Sequence, residues 1–119
     1  LENLYYRKDK ILRPITKLSN VEIKKEFGWC TDVRNNLYNK RFKINKKFKH
    51  EKLFRKDYKY NLLIVLSYNR KKIIKGKGSA IFIHLTKDYK ATAGCIALKK
   101  NDLLALLKVI DKKTKIIIS

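Results

Sequence analysis

Apolar residues gather in a few short stretches, and their spacing predicts the elements. Leu62–Leu66 (LLIVL) is a continuous apolar run of strand length, expected to be buried. Ser79–Leu85 is apolar on both faces, with Ala80, Phe82 and His84 on one side and Ile81, Ile83 and Leu85 on the other. That pattern predicts a central strand of a sheet or sandwich. The polar loop Thr86–Gly94 then allows the chain to turn and return as a second strand, Cys95–Leu98. Antiparallel pairing of the two would set the end of the first opposite the start of the second.

Further on, Leu103, Leu106, Leu107 and Ile110 recur at i, i+3, i+4 and i+7, which predicts an amphipathic helix over Asn101–Asp111. Asn101 is the expected N-cap, Asp102 falls in the first turn, and Lys112 and Lys113 complement the other end of the dipole. Lys115–Ile118 reads as a final strand. The expected class is mainly β with one or two helices, an α+β domain.

Elsewhere the pattern is weaker. Leu1–Asn20 is basic and interrupted by Pro14, which forbids one continuous helix; Tyr5 and Tyr6 are its expected anchors on the body. Lys40–Tyr60 interleaves aromatics with lysines. It reads as a half-buried segment with lysines outside, or as a surface for single-stranded nucleic acid. Glu51 and Arg55 are spaced for an ion pair on a helical turn. His50-Glu51 does not open a metalloprotease motif, because Phe54 stands where the second histidine must be, and no metal is expected. Gly76–Ser79 (GKGS) lacks the upstream glycine of a phosphate loop and leads into a strand, so it reads as a turn. Its glycines let a substrate pass close to the backbone.

Length and composition narrow the classes. A chain of 119 residues, 45% hydrophobic, is one folded domain with a single modest core. Its formal net charge of +21 suits a nucleic acid or another anionic polymer, yet a compositional bias towards Lys explains it equally, because the lysines run along nearly the whole chain. Lys far outnumbers Arg, so specific nucleic-acid readout is not expected. The two cysteines, Cys30 and Cys95, have neither CxxC spacing nor the number for a disulfide framework. No stretch approaches a membrane span, and Leu1–Lys10 carries no signal-peptide apolar core.

The chemistry concentrates in GSAIFIHLTKDYKATAGCIAL, Gly78–Leu98. A thiol (Cys95) and an imidazole (His84) on adjacent strands make a nucleophile and a base. Gly94 allows close backbone approach, and N–H groups near Cys95 are placed to meet a developing oxyanion. A basic binding module in which Cys95 is a bystander is the rival class.

IFIH, followed by TAGCIAL and a leucine-rich helix, resembles the catalytic core of the YkuD-type L,D-transpeptidases. The family motif is a His, a loop, then Ser/Thr-His-Gly-Cys. The resemblance makes Cys95 the nucleophile, His84 the general base and Gly94 the residue beside the oxyanion site, with Thr92 at the Ser/Thr position. Ala93 replaces the motif's second His, and Ala97 stands where many members have Arg. GWCTDVRNNLYN resembles a segment of a proteobacterial branch of these enzymes, which implies that Trp29, Cys30, Asp32, Tyr38 and Asn39 surround the substrate cleft; Gly78 and Ser79 are further substrate-binding candidates. Read from the residues alone, Trp29 is a core anchor, Cys30 a small buried hydrophobe and Asp32 a turn cap. HEKLFRKDYKYN resembles the same branch.

The resemblance implies a YkuD-like β-sandwich acting on peptidoglycan stem peptides by cross-linking or by trimming (an L,D-carboxypeptidase activity), without a cofactor. A backbone carbonyl just after the histidine orients it. The resemblance also implies a periplasmic or cell-envelope location, a part in wall biogenesis and cell shape, acylation by carbapenem-type inhibitors, and a monomer. It places strands ahead of Leu1, so residues 1–119 are expected to be one catalytic domain short of its N-terminal strands. A degenerate homologue that binds wall peptides without turnover is the remaining alternative.

Overall fold

The computed structural model describes residues 1–87 and 95–116. Among these, eight strands are followed by one helix: β1 (Leu4–Tyr6), β2 (Asn20–Glu22), β3 (Phe27–Cys30), β4 (Arg41–Lys43), β5 (His50–Lys52), β6 (Leu62–Val65), β7 (Phe82–Leu85), β8 (Ile96–Leu98) and α1 (Lys100–Val109). They form a five-stranded sheet in the order β2-β1-β6-β7-β8 and a three-stranded sheet in the order β4-β3-β5. The mainly β, α+β architecture with a helix near the C-terminus is the expected one.

Period-two alternation explains the layers. Leu4 and Tyr6, Leu62 and Ile64, and Ile83 and Leu85 point to one side of the large sheet, where Leu103 and Leu107 of α1 meet them. Tyr5, Leu63, Val65 and Phe82 point to the other side, where Trp29 of β3 and Leu53 close the second core. The central strands are therefore covered on both faces, which is why β6 and β7 read as unbroken apolar runs. Tyr5 and Tyr6 belong to a buried central strand, a deeper role than surface anchoring.

Several local expectations need correction. The β7–β8 pair is parallel, with Ile83 opposite Ile96, His84 opposite Ala97 and Leu85 opposite Leu98. Apolar alternation constrains which face a strand buries but not its direction, so the antiparallel reading had no physical lock. The helix begins at Lys100 with Lys99 as N-cap, whose side chain makes no capping hydrogen bond, so Asn101 lies inside the first turn. Glu51 and Arg55 do approach to 3.9 Å, but from strand β5 and the segment after it rather than along a helical turn. Lys115 and Ile116 form no strand; Ile117 and Ile118 lie outside the described residues.

Turns follow from residues that tolerate positive φ. Asn69 (φ 54°) and Gly78 (φ 134°) reverse the chain between β6 and β7, and Asn69 Nδ2 donates to the carbonyls of Ile74 (3.0 Å) and Gly78 (2.9 Å). A Cβ at Gly78 would come within 2.9 Å of the Tyr68 ring, so this turn requires glycine on two counts.

Candidate active site

His84 sits on β7 facing the second core, with only 8% of its surface exposed. Its Nδ1 lies 3.0 Å from the carbonyl of Leu85. A carbonyl only accepts, so Nδ1 carries a proton, and whenever the ring is neutral the lone pair is on Nε2. The backbone carbonyl after the histidine thus does the orienting, as the resemblance implied. Tyr60 packs edge-on to the imidazole, ring centroids 5.7 Å apart, and edge-on to Phe82 at 5.8 Å.

Cys95 precedes β8 by one residue and, in the parallel register, lies level with Phe82. Alternation puts Cys95 and Ala97 on the face of Phe82 and His84, and Cys95 packs against the same core. Cysteine and histidine are diagonal neighbours on adjacent strands, not directly opposed ones. His84 instead faces Ala97, the position where the family motif often has Arg. The Cys95 thiol donates to the carbonyl of Ala80 at 3.3 Å. Burial raises its pKa; a hydrogen bond from the Phe82 backbone opposes this, and the charge of Glu51 adds to the rise. The resting sulfur is therefore a thiol. Neither cysteine is in a disulfide among the described residues; Cys30 is buried, and its Sγ lies 3.7 Å from the Asp32 carbonyl.

A polar support stands behind Ala80. Ala80 has φ 58°, a left-handed conformation that an L-residue adopts only when its surroundings hold it there. Its N–H donates to Asn39 Oδ1 at 3.3 Å, which also accepts from Trp29 Nε1 at 2.9 Å. Asn39 Nδ2 donates to the Asn69 carbonyl at 2.6 Å, and Arg70 donates to the Asn39 carbonyl. Asn39 is itself at φ 58°, which asparagine tolerates better than other non-glycine residues. Tyr38 Oη accepts from the Gly78 N–H at 3.1 Å, and Ser79 Oγ donates to the Cys30 carbonyl at 2.7 Å.

The structure therefore joins Trp29, Tyr38, Asn39, Gly78 and Ser79 to the start of β7 and, through Ala80, to Cys95. Trp29 is a core residue, 1% exposed, edge-on to Tyr5 and Phe82. Gly78 and Ser79 remain partly exposed. Asp32 stands apart: its carboxylate accepts from the Arg34 side chain and from the N–H groups of Arg34 and Lys49, both at 3.0 Å. These bonds, the Arg34 side chain first, hold it well below the usual carboxylate range. Thr92, Ala93 and Gly94 lie outside the described residues.

Sequence reasoning missed Tyr60, Ala80 and Glu51. Tyr60 has no signal separating it from Tyr58, and nothing in GSAIF announces a left-handed alanine. In the sequence Glu51 reads only as a partner of Arg55 and as part of an incomplete metal motif.

A cysteine and an oriented imidazole share one face of paired strands, an arrangement suited to thiol chemistry. The family model for the YkuD L,D-transpeptidase catalytic domain matches residues 4–118, and the chain belongs to that family. No curated protein and no solved structure matches it.

Proposed function

We propose that the protein is a cysteine acyl-transferase acting on peptidoglycan stem peptides through a Cys95 thioester. The observation that carries this reading is the shared face of Cys95 and His84 on paired strands, with His84 Nδ1 tied to the Leu85 carbonyl. The family supports the enzyme class and the substrate polymer.

In the first step Cys95 rotates about χ1 from the Ala80 carbonyl towards His84. Nε2 takes the thiol proton, and the sulfur attacks the peptide carbonyl after the L-centre of the stem's diamino acid. N–H groups near Gly94 and Cys95 hold the oxyanion, worth about 3–4 kcal/mol per donor where such donors have been removed. The leaving amine collects the proton from His84. In the second step an amine of another stem, or water, gives its proton to Nε2 and attacks the thioester, which regenerates the thiol. The amine route cross-links and the water route trims.

Gly78 and Ser79 are assigned to the substrate's backbone, and Thr92 is a further substrate-binding residue. Trp29, Tyr38 and Asn39 shape that wall from behind, while Asp32 is engaged by Arg34 and Lys49 away from it. The net positive charge attracts a carboxylate-rich wall polymer over long range. A cell-envelope location follows from the substrate; among the described residues no helix is long and apolar enough to cross a membrane. Muropeptides incubated with the protein and read by mass spectrometry test the proposal. Cross-linked or shortened products are expected, and muropeptides left unchanged under all conditions would refute it.

A further inference from the structure

The three most exposed large apolar side chains described are Leu12 (92%), Val109 (80%) and Ile15 (78%). Leu12 and Ile15 line a groove of about 450 Å³ with Lys10, Arg13, Lys100 and Lys108. Lys100, Leu104 and Lys108 follow one another at i, i+4 and i+8 on one face of α1, and Val109 is next to Lys108. The groove has no acidic lining residue, and its four cations make no ion pair among the described residues.

The projecting tips are held in place. The N–H groups of Lys10 and Ile11 both donate to the Arg7 carbonyl, Ile11 packs on the core beneath, and Leu18 is buried in it. Pro14 bars a continuous helix across the intervening segment, which has none. The result is a tethered loop with aliphatic tips beside a lysine-lined helix face.

We propose that this face rests on an anionic lipid bilayer. Leu12 and Ile15 enter the headgroup region, and Lys10, Arg13, Lys100 and Lys108 lie over anionic headgroups. The choice of partner follows from the pairing of the two chemistries. A nucleic acid would satisfy the cations but leave the aliphatic tips in water, and no aromatic side chain lines the groove to stack on a base. A second copy would bring like charges together on chains that each carry +21. A bilayer with anionic headgroups accepts both the tips and the charges.

The test is sedimentation of the full chain with phosphatidylcholine vesicles, with and without phosphatidylglycerol. Binding is expected only with the anionic lipid, and it should weaken as salt rises. The double variant Leu12→Ser/Ile15→Ser should lose at least about tenfold in partition, as a surface that inserts apolar side chains must. Lys100→Gln/Lys108→Gln should lose a similar factor, while Lys46→Gln/Lys47→Gln, outside the groove, should lose little. All these positions are exposed, so urea midpoints should not move. Partition unchanged in Leu12→Ser/Ile15→Ser would overturn the proposal, assigning any binding to overall charge. So would a protein that dimerises without lipid and becomes monomeric in that variant, since the face would then belong to a second copy.

Discussion

The thiol of Cys95 donates to the carbonyl of Ala80 at 3.3 Å, and Ala80 is held in the left-handed backbone region by Asn39. This places the proposed nucleophile in a protonated, hydrogen-bonded resting state. Burial is the largest influence on the thiol and pushes its pKa up. Iodoacetamide alkylation followed against pH should therefore inflect above the value of about 8.5 for a free thiol. Glu51→Gln removes a charge that favours the thiol and should move the inflection down slightly, with the difference shrinking at high salt. Cys30→Ala should leave both curves unchanged, because Cys30 is fully buried. An inflection below neutrality would mean a preformed thiolate–imidazolium pair.

His84 is the base in this account, and its free nitrogen is Nε2. His84→Ala should slow acylation of Cys95 by about 10²–10⁴-fold, the usual worth of a positioned base. The loss should diminish as pH rises towards the thiol pKa, where solvent removes the proton instead. Stopped-flow measurement of acylation by a thioester-forming inhibitor across pH reads both effects.

Asn39 is a structural hub whose loss has two consequences. Asn39→Ala strands the Trp29 indole N–H and the Ala80 N–H in a buried setting, and it puts alanine at a positive φ. The expected destabilisation is about 2–4 kcal/mol, read from urea unfolding. Asn39→Asp keeps the accepting oxygen but forfeits the donation to the Asn69 carbonyl, so its cost should be smaller than that of an asparagine removed outright only if Trp29 and Ala80 dominate.

Much of this arrangement was legible in the residues. LLIVL and FIHL could only be strands covered on both sides, and the leucines at 103 and 107 had to face a core. The strand pattern already set Cys95 and His84 on neighbouring strands, and the resemblance added the family whose chemistry would use such a pair. The parallel direction of β8 was not legible, because an apolar strand of three residues fits either way. The sheet β4-β3-β5 was hidden for another reason. Arg41 and Lys43 flank a single inward Phe42, so each strand shows too few apolar residues to betray its period. The Asn39–Ala80 link was invisible because it joins residues far apart in sequence through one side-chain oxygen.

Asp32 gives the acid limb of stability a clear sign. Its folded pKa is depressed, first by the Arg34 side chain and then by the backbone N–H groups of Arg34 and Lys49. Its contribution is therefore complete above the unfolded carboxyl pKa of about 3.9 and is lost as pH falls through the folded value. Asp32→Asn should lower the urea midpoint by a constant amount from neutrality to about pH 5, and the gap to the parent should close in stronger acid. A gap that widens on acidification would contradict the bonding described around this carboxylate.

The most direct check on the account is the intact mass of the protein after mixing with a carbapenem, with the adduct located by peptide mapping. A single acyl adduct on Cys95 is predicted, retained in Cys30→Ala and absent from Cys95→Ala. An adduct that persists in Cys95→Ala, or a parent chain that stays unmodified while its thiol alkylates normally, would contradict the assignment of Cys95 as the acyl-carrying nucleophile.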